Sequence, residues 1–92
     1  MEITHKEFEN KGAFIAQSEG KNAGEMTYSK AGEKLIIIDH TEVDSAFSGQ
    51  GVGKKMVLAA VDFARENQIK ILPLCPFAKA AFDKDSSIQD VL

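Results

Sequence analysis

The sequence predicts a single α/β domain, a mixed α+β sheet carrying two main helices, over residues 1–92. Three observations predict it. The first half alternates apolar and polar residues between clusters of turn residues, the pattern of an antiparallel meander. The middle runs from an aliphatic stretch, Leu35-Ile36-Ile37-Ile38, through a glycine-rich turn into a long helical periodicity. The last third repeats strand-then-helix on a smaller scale around Pro73 and Pro76.

The first ten residues are mixed polar, with Ile3 and Phe8 out of period-2 phase, and read as a short strand or an arm carrying a solvated His5. Residues 12–18 alternate, Ala13, Ile15 and Gln17 against Phe14, Ala16 and Ser18. Residues 19–22, Glu-Gly-Lys-Asn, are turn chemistry. Residues 23–29 resume the alternation, with Met26 and Tyr28 on one face, and residues 30–33 form a second turn. Residues 34–43 make the third strand of the meander. Its first half is apolar on both sides, as in a strand covered on both faces. Its second half is polar, Asp39-His40-Thr41-Glu42-Val43. Strict alternation puts Ile36, Ile38, His40 and Glu42 on one face and Ile37, Asp39, Thr41 and Val43 on the other. Asp39 is thereby given a structural part.

From Gly51 to about Asn67, Val52, Met56, Ala60, Phe63 and Ala64 recur at helical spacing, with Val57 and Leu58 widening the stripe. Such a helix spans about 25 Å. Residues 70–74 are the next strand, parallel to the third because a helix crosses between them. Pro73 has no N–H for a ladder, so the two strands are expected to part there and leave a wedge-shaped gap. Cys75 then caps a second helix, 77–83, with Pro76 at its first position. Residues 88–92 form a short tail packing back through Ile88, Val91 and Leu92.

The composition excludes several classes of function. Net charge is −3 and pI about 5.3, which argues against nucleic acid as a partner. The lone Cys75 allows no internal disulfide, and no secretory leader pattern precedes it; a cytoplasmic location is expected. The longest aliphatic run is far too short to cross a bilayer. Two histidines and one cysteine at scattered positions make no metal site. A monomer or weak dimer is expected.

Chemistry concentrates at Ser48-Gly49-Gln50-Gly51-Val52-Gly53-Lys54-Lys55. A strand, a glycine turn and a helix in that order bind anionic groups, because the first amides of the helix lack partners and its dipole makes that end positive. Glycine lets the ligand approach the backbone. The spacing is not a Walker A loop, since Ser48 and Lys55 stand where that motif needs glycine and Ser/Thr. It is not the dinucleotide pattern either, which needs two residues between its second and third glycines. The plainer alternative is a tight strand-to-helix turn.

The shape x-x-x-Gly-x-Gly opening a long helix resembles motif A of the GNAT acyl-coenzyme A N-acetyltransferases. His40-Thr41-Glu42-Val43, Leu74-Cys75-Pro76-Phe77-Ala78 and the closing Asp90-Val91-Leu92 extend the resemblance over nearly the whole chain, to the small YjdJ-type branch of that superfamily. It implies acetyl transfer from acetyl-coenzyme A to an amine acceptor, whether small molecule, peptide or protein. The amides of residues 48–53 would hold the coenzyme pyrophosphate, with Lys54 and Lys55 beside it. Backbone near Val43 would pair with the pantetheine arm, and Pro76 and Phe77 would border it. Two departures stand out. Ser48 replaces the usual Arg or Gln, and the two helices that larger members carry between their first strands are missing, which leaves the acceptor side open.

Cys75, at a helix N-terminus, has the setting of a lowered thiol pKa. Phe77 cannot donate a proton as the tyrosine of many superfamily members does. Cys75 would then be the general acid or a nucleophile that takes the acetyl group first; its plainer alternative is a small buried apolar residue. His40 is the candidate general base, because an imidazole titrates near neutrality, and Glu42 would assist it through water or orient the acceptor. Its alternative is a structural histidine at the sheet edge, and for Lys55 an ordinary solvated helix face. Two other functions remain open, a non-catalytic acyl-coenzyme A sensing module and an interaction domain that has kept only the fold.

Overall fold

Turn residues set the first two hairpins. In the computed structural model, which describes residues 1–92, strands β1 (Glu2–Phe8), β2 (Lys11–Ser18) and β3 (Lys21–Lys30) are joined by two-residue turns. Glu19 and Gly20 both have positive φ, 51° and 80°, the backbone that twist-matched hairpins require. The turn is thus tighter than expected, and Lys21 and Asn22 belong to β3. Strand β4 (Leu35–Val43) follows, then a 3-10 turn (Ser45–Phe47), helix α1 (Val52–Asn67), strand β5 (Lys70–Pro73), helix α2 (Pro76–Lys84) and a second 3-10 turn (Ser86–Val91). The sheet order is β1-β2-β3-β4-β5, antiparallel except for the parallel β4–β5 pair. β5 is an edge strand, and so it tolerates Pro73.

Helix α1 buries Val52, Met56, Val57, Ala60, Val61 and Ala64 against one face of the sheet, meeting Phe14, Ala16, Met26, Tyr28, Ile36, Ile38 and Ile71. Each large aliphatic side chain removed from water there contributes about 1.5–3 kcal/mol. Val61 completes the stripe, whereas Leu58 lies on the solvent side. Helix α2 adds Ala78 and Phe82 to the same core. In the C-terminal segment Ile88 and Val91 are buried but Leu92 is exposed. Arg65 holds that segment with two bonds to the Asp90 carboxylate (2.8 and 3.1 Å) and one to the Ser87 carbonyl (2.8 Å).

Two expectations for β4 are overturned. Its second face is not covered: Ile15, Thr27 and Ile37 on that side are partly exposed and Leu72 is 43% exposed. Both helices pack on the other side, so the sheet has one bare face. The strict alternation also fails. Pairing with β3 passes from Tyr28↔Ile38 to Thr27↔His40 and leaves Asp39 unopposed, a β-bulge. One extra residue reverses the phase of everything beyond it. Thr41, opposite the buried Met26, therefore shares the inner face with Ile36 and Ile38. His40 and Glu42 lie on the bare outer face with Ile37 and Asp39. Asp39 accepts a hydrogen bond from the Ser29 hydroxyl (2.7 Å).

β1 is a full strand, and His5 is more than a solvated side chain. Its ring stacks on Phe14 with centroids 4.3 Å apart and meets Phe63 edge-on at 4.5 Å. Its Nε2–H donates to the Tyr28 hydroxyl, which donates to Glu7 (2.8 Å). Lys30 pairs with the same carboxylate at 3.0 Å. Burial lowers the His5 pKa, and Lys30 adds to this while Glu7 opposes it. Burial pushes the Glu7 carboxyl up, but the hydrogen bonds from Lys30 and Tyr28 outweigh it and hold the carboxyl below its ordinary value. Both shifts act with one sign. On acidification from about 6.5 the unfolded chain takes up protons at His5 that the folded chain resists. The Glu7 contribution, full above about 4.5, is lost as pH falls through its lower folded value. Thermal melts are expected to show a Tm that declines in two acid stages, and His5→Phe should flatten the upper stage. An unchanged upper stage in that variant would exclude His5 as its cause.

Candidate active site

The parallel ladder between β4 and β5 stops at Ile38↔Pro73. The N–H groups of Leu74 and Cys75 both donate to the Ile38 carbonyl, each at 3.1 Å. The chain then turns into α2, while β4 runs on to Val43. Beyond Ile38, β4 is paired only with β3. A gap therefore opens in the sheet beside Asp39–Val43, as Pro73 led one to expect.

The glycine loop lies at the far end of this gap. Gly49 and Gly51 have φ of 81° and 72°, left-handed backbone in which a side chain costs about 1–2 kcal/mol. Gly51 is the N-cap of α1, and no side chain caps the helix. The first helical bond is Lys55 N–H to the Gly51 carbonyl (3.0 Å). The N–H groups of Gly51, Val52, Gly53 and Lys54 have no acceptor in the protein. That is the donor set a diphosphate requires at the positive end of a helix dipole. Gly53 serves packing as well: a methyl group there would overlap the ring of Phe77. Ser48 is exposed, and its N–H closes the 3-10 turn on Ser45 at 3.3 Å. Asp44, not anticipated as a cap, begins that turn by accepting from the Ala46 N–H (2.9 Å).

Cys75 is the N-cap of α2 and is 5% exposed. Its Sγ lies 3.4 Å from Thr41 Oγ1. Burial pushes the thiol pKa up, but hydrogen bonds from the Thr41 hydroxyl and from the backbone of Ala78, Phe77 and Thr41 outweigh it, leaving the thiol below its ordinary value. His40 Nε2 lies 2.9 Å from Glu42 Oε1, both exposed on the outer face. Cys75 reaches the same stretch of β4 from the inner face. The three predicted catalytic side chains thus flank one gap, His40 and Glu42 as a bonded pair on one side and Cys75 on the other.

Between α1 and α2, next to the glycine loop, a groove of roughly 360 Å³ is lined by Lys54, Val57, Phe77, Ala80, Lys84 and Ile88, among others. Phe77 is 44% exposed along it. Lys55 faces solvent. Pro76 begins α2 immediately after Cys75. Thr41 is the contact that periodicity misses. The only signal for it was the run of polar residues after Ile38, and no alternation pattern reveals which residue of a strand will bulge.

No helix is long and apolar enough to cross a membrane, and no three His, Cys, Asp or Glu side chains converge on a possible metal site. Residues 13–91 match the family described as GCN5-related N-acetyl-transferase. A Staphylococcus aureus protein described as GCN5-like, solved by NMR, superposes with a TM-score of 0.71 at 43% identity, over 96% of this chain and 85% of that one. A Bacillus anthracis structure described as a streptothricin acetyltransferase in complex with acetyl coenzyme A gives a TM-score of 0.59 at 25% identity, over 70% of this chain and 38% of that one. Among curated relatives, Protein NATD1 of Xenopus tropicalis is 38% identical over 50 residues, 54% of this chain. That match spans 46% of the relative, about half its length.

Proposed function

The chain belongs to the GCN5-related N-acetyltransferase family, and on that premise we propose that it transfers an acetyl group from acetyl-coenzyme A to an amine. The observation that carries this reading is the gap where β4–β5 pairing stops, opening beside four partnerless N–H groups at the start of α1. The residues present suit acetyl-coenzyme A. The amides of Gly51–Lys54 suit its pyrophosphate, and the left-handed Gly49 and Gly51 leave room for it. The unpaired edge of β4 up to Val43 suits the amide-bearing pantetheine arm, which would add to the sheet like a strand. The groove with Phe77, Lys54 and Lys84 suits an adenine ring and its ribose phosphate.

When bound, acetyl-coenzyme A supplies an activated thioester. His40, oriented by its bond to Glu42, takes a proton from the acceptor amine on the bare outer face. Cys75, on the inner side, either gives its proton to the departing thiolate or receives the acetyl group before the acceptor does. The open face sets no steric limit on the acceptor, which suits a small amine, a peptide or a protein side chain. The blocks at 40–43 and 74–78 support the finer reading of a small YjdJ-type branch member, and the lone cysteine suits the cytoplasm.

The test is a melt with acetyl-coenzyme A followed by turnover on a panel of amines. The reading requires both a raised Tm and acetylated product. Binding without product would make the chain an acyl-coenzyme A sensing module, and no shift at all would remove the cofactor from the account. Ser48→Arg returns the long polar side chain usual in motif A and is expected to tighten acetyl-coenzyme A binding several-fold by titration calorimetry. Unchanged affinity there would detach Ser48 from the phosphate site.

A further inference from the structure

We propose that Thr41 is a positioning residue for Cys75, holding the thiol in the mouth of the β4–β5 gap and bonding to it in both of its protonation states. The proposal rests on the reading of that gap as the acetyl-transfer site.

Cys75 is tied to β4 at two points. Its backbone N–H donates to the carbonyl of Ile38, the last rung of the parallel ladder (3.1 Å). Its sulfur meets the hydroxyl of Thr41 at 3.4 Å. The sulfur therefore lies across the place where the two strands part. This second tie exists only because of the bulge at Asp39. Without the extra residue, Thr41 would point to the bare outer face and the thiol would have no side-chain partner.

Threonine suits this position chemically. A hydroxyl both accepts and donates, so it accepts from S–H in the thiol and donates O–H to the thiolate. The amides at the start of α2 only donate, and so favour the thiolate alone. When Cys75 ionises, its proton leaves for solvent or for the departing group, and Thr41 keeps its own. No charged side chain is among the groups that hold the thiol down, so the hydroxyl has no stronger competitor. The branched side chain has few χ1 choices, which fixes the direction of the hydroxyl.

Thr41→Val removes the hydroxyl and keeps the shape, and Thr41→Ser keeps the hydroxyl. Cys75 is the only thiol in the chain, so thiolate absorbance against pH reads its ionisation directly. Tyr28, whose hydroxyl is held well above its usual range by burial and by Glu7, does not overlap. Thr41→Val is expected to raise the thiol midpoint by about one pH unit, as for one hydrogen bond to a charged group. Thr41→Ser should restore most of the difference. A Thr41→Val curve superimposed on wild type, with the fold intact by circular dichroism, overturns the proposal. Turnover then examines the reading beneath it. Thr41→Val should lower kcat with little change in KM for acetyl-coenzyme A. Full turnover by Cys75→Ala would remove the thiol from the chemistry, while a shifted midpoint in Thr41→Val would still establish the contact.

Discussion

Turnover by Cys75→Ala is expected to fall by about two to four orders of magnitude, the usual range for a positioned acid or base, with acetyl-coenzyme A binding retained. The local structure makes this a clean test. Cys75 caps α2 without a side-chain hydrogen bond to the helix while it is a thiol, and the Phe77 and Ala78 amides act on it only as the thiolate, so alanine leaves the helix start intact. The bond from the residue 75 backbone to Ile38 is also kept. The void left by one sulfur atom is small, and the melting temperature should move by only a few degrees, about 1 kcal/mol for a domain of this size. Intact mass after incubation with acetyl-coenzyme A then separates the two roles. An acetyl adduct on the wild type that is absent from the variant identifies an acyl carrier. Lost turnover with no adduct on the wild type identifies an acid. A variant as fast as wild type would leave Cys75 with neither role.

The largest loss of stability is expected at Gly12→Ala. A methyl group there would overlap the end of the Tyr28 ring. That ring is 1% exposed, packs against Phe14 and is held at its hydroxyl by His5 and Glu7. It has nowhere to swing without breaking those bonds. Overpacking of this kind costs about 1–3 kcal/mol, and the broken bonds add to it, so a Tm drop of roughly 10 °C or more follows. Gly20→Ala is the control. It has a positive φ but open space around the added carbon, so only backbone strain is incurred. A Gly12→Ala melt no lower than that of Gly20→Ala would show that Tyr28 yields freely.

Most of the architecture was legible because short-range signals determine it. Turn residues divided the meander, an apolar stripe marked α1, and Pro73 and Pro76 marked the end of one element and the start of the next. The gap was legible for the same reason, since a missing N–H is a property of a single residue. What could not be read depends on pairing between strands. The bulge at Asp39 is decided by how β4 fits β3, and it moved Thr41 inward and His40 and Glu42 outward. His5 looked like an ordinary surface residue because its partners, Phe14, Tyr28 and Phe63, come from three other elements. The bare outer face was illegible too. Ile37 and Leu72 look like core residues, and only the placement of both helices on one side shows that nothing in this chain covers them.

The sheet's spatial order is also its order in the chain. No strand has to insert between two others, so each can dock on an edge that is already built as synthesis proceeds. Most strand contacts are then between near neighbours in sequence, a topology associated with fast folding. Only the step from β4 through α1 to β5 needs a long crossover. The cleft between those two strands consequently waits on the most distant pairing in the sheet. A nascent chain still lacking α1 would carry a four-stranded meander with an uncovered apolar face, and it would be exposed to aggregation until α1 emerged. Completion of the sheet and creation of the cleft are one event.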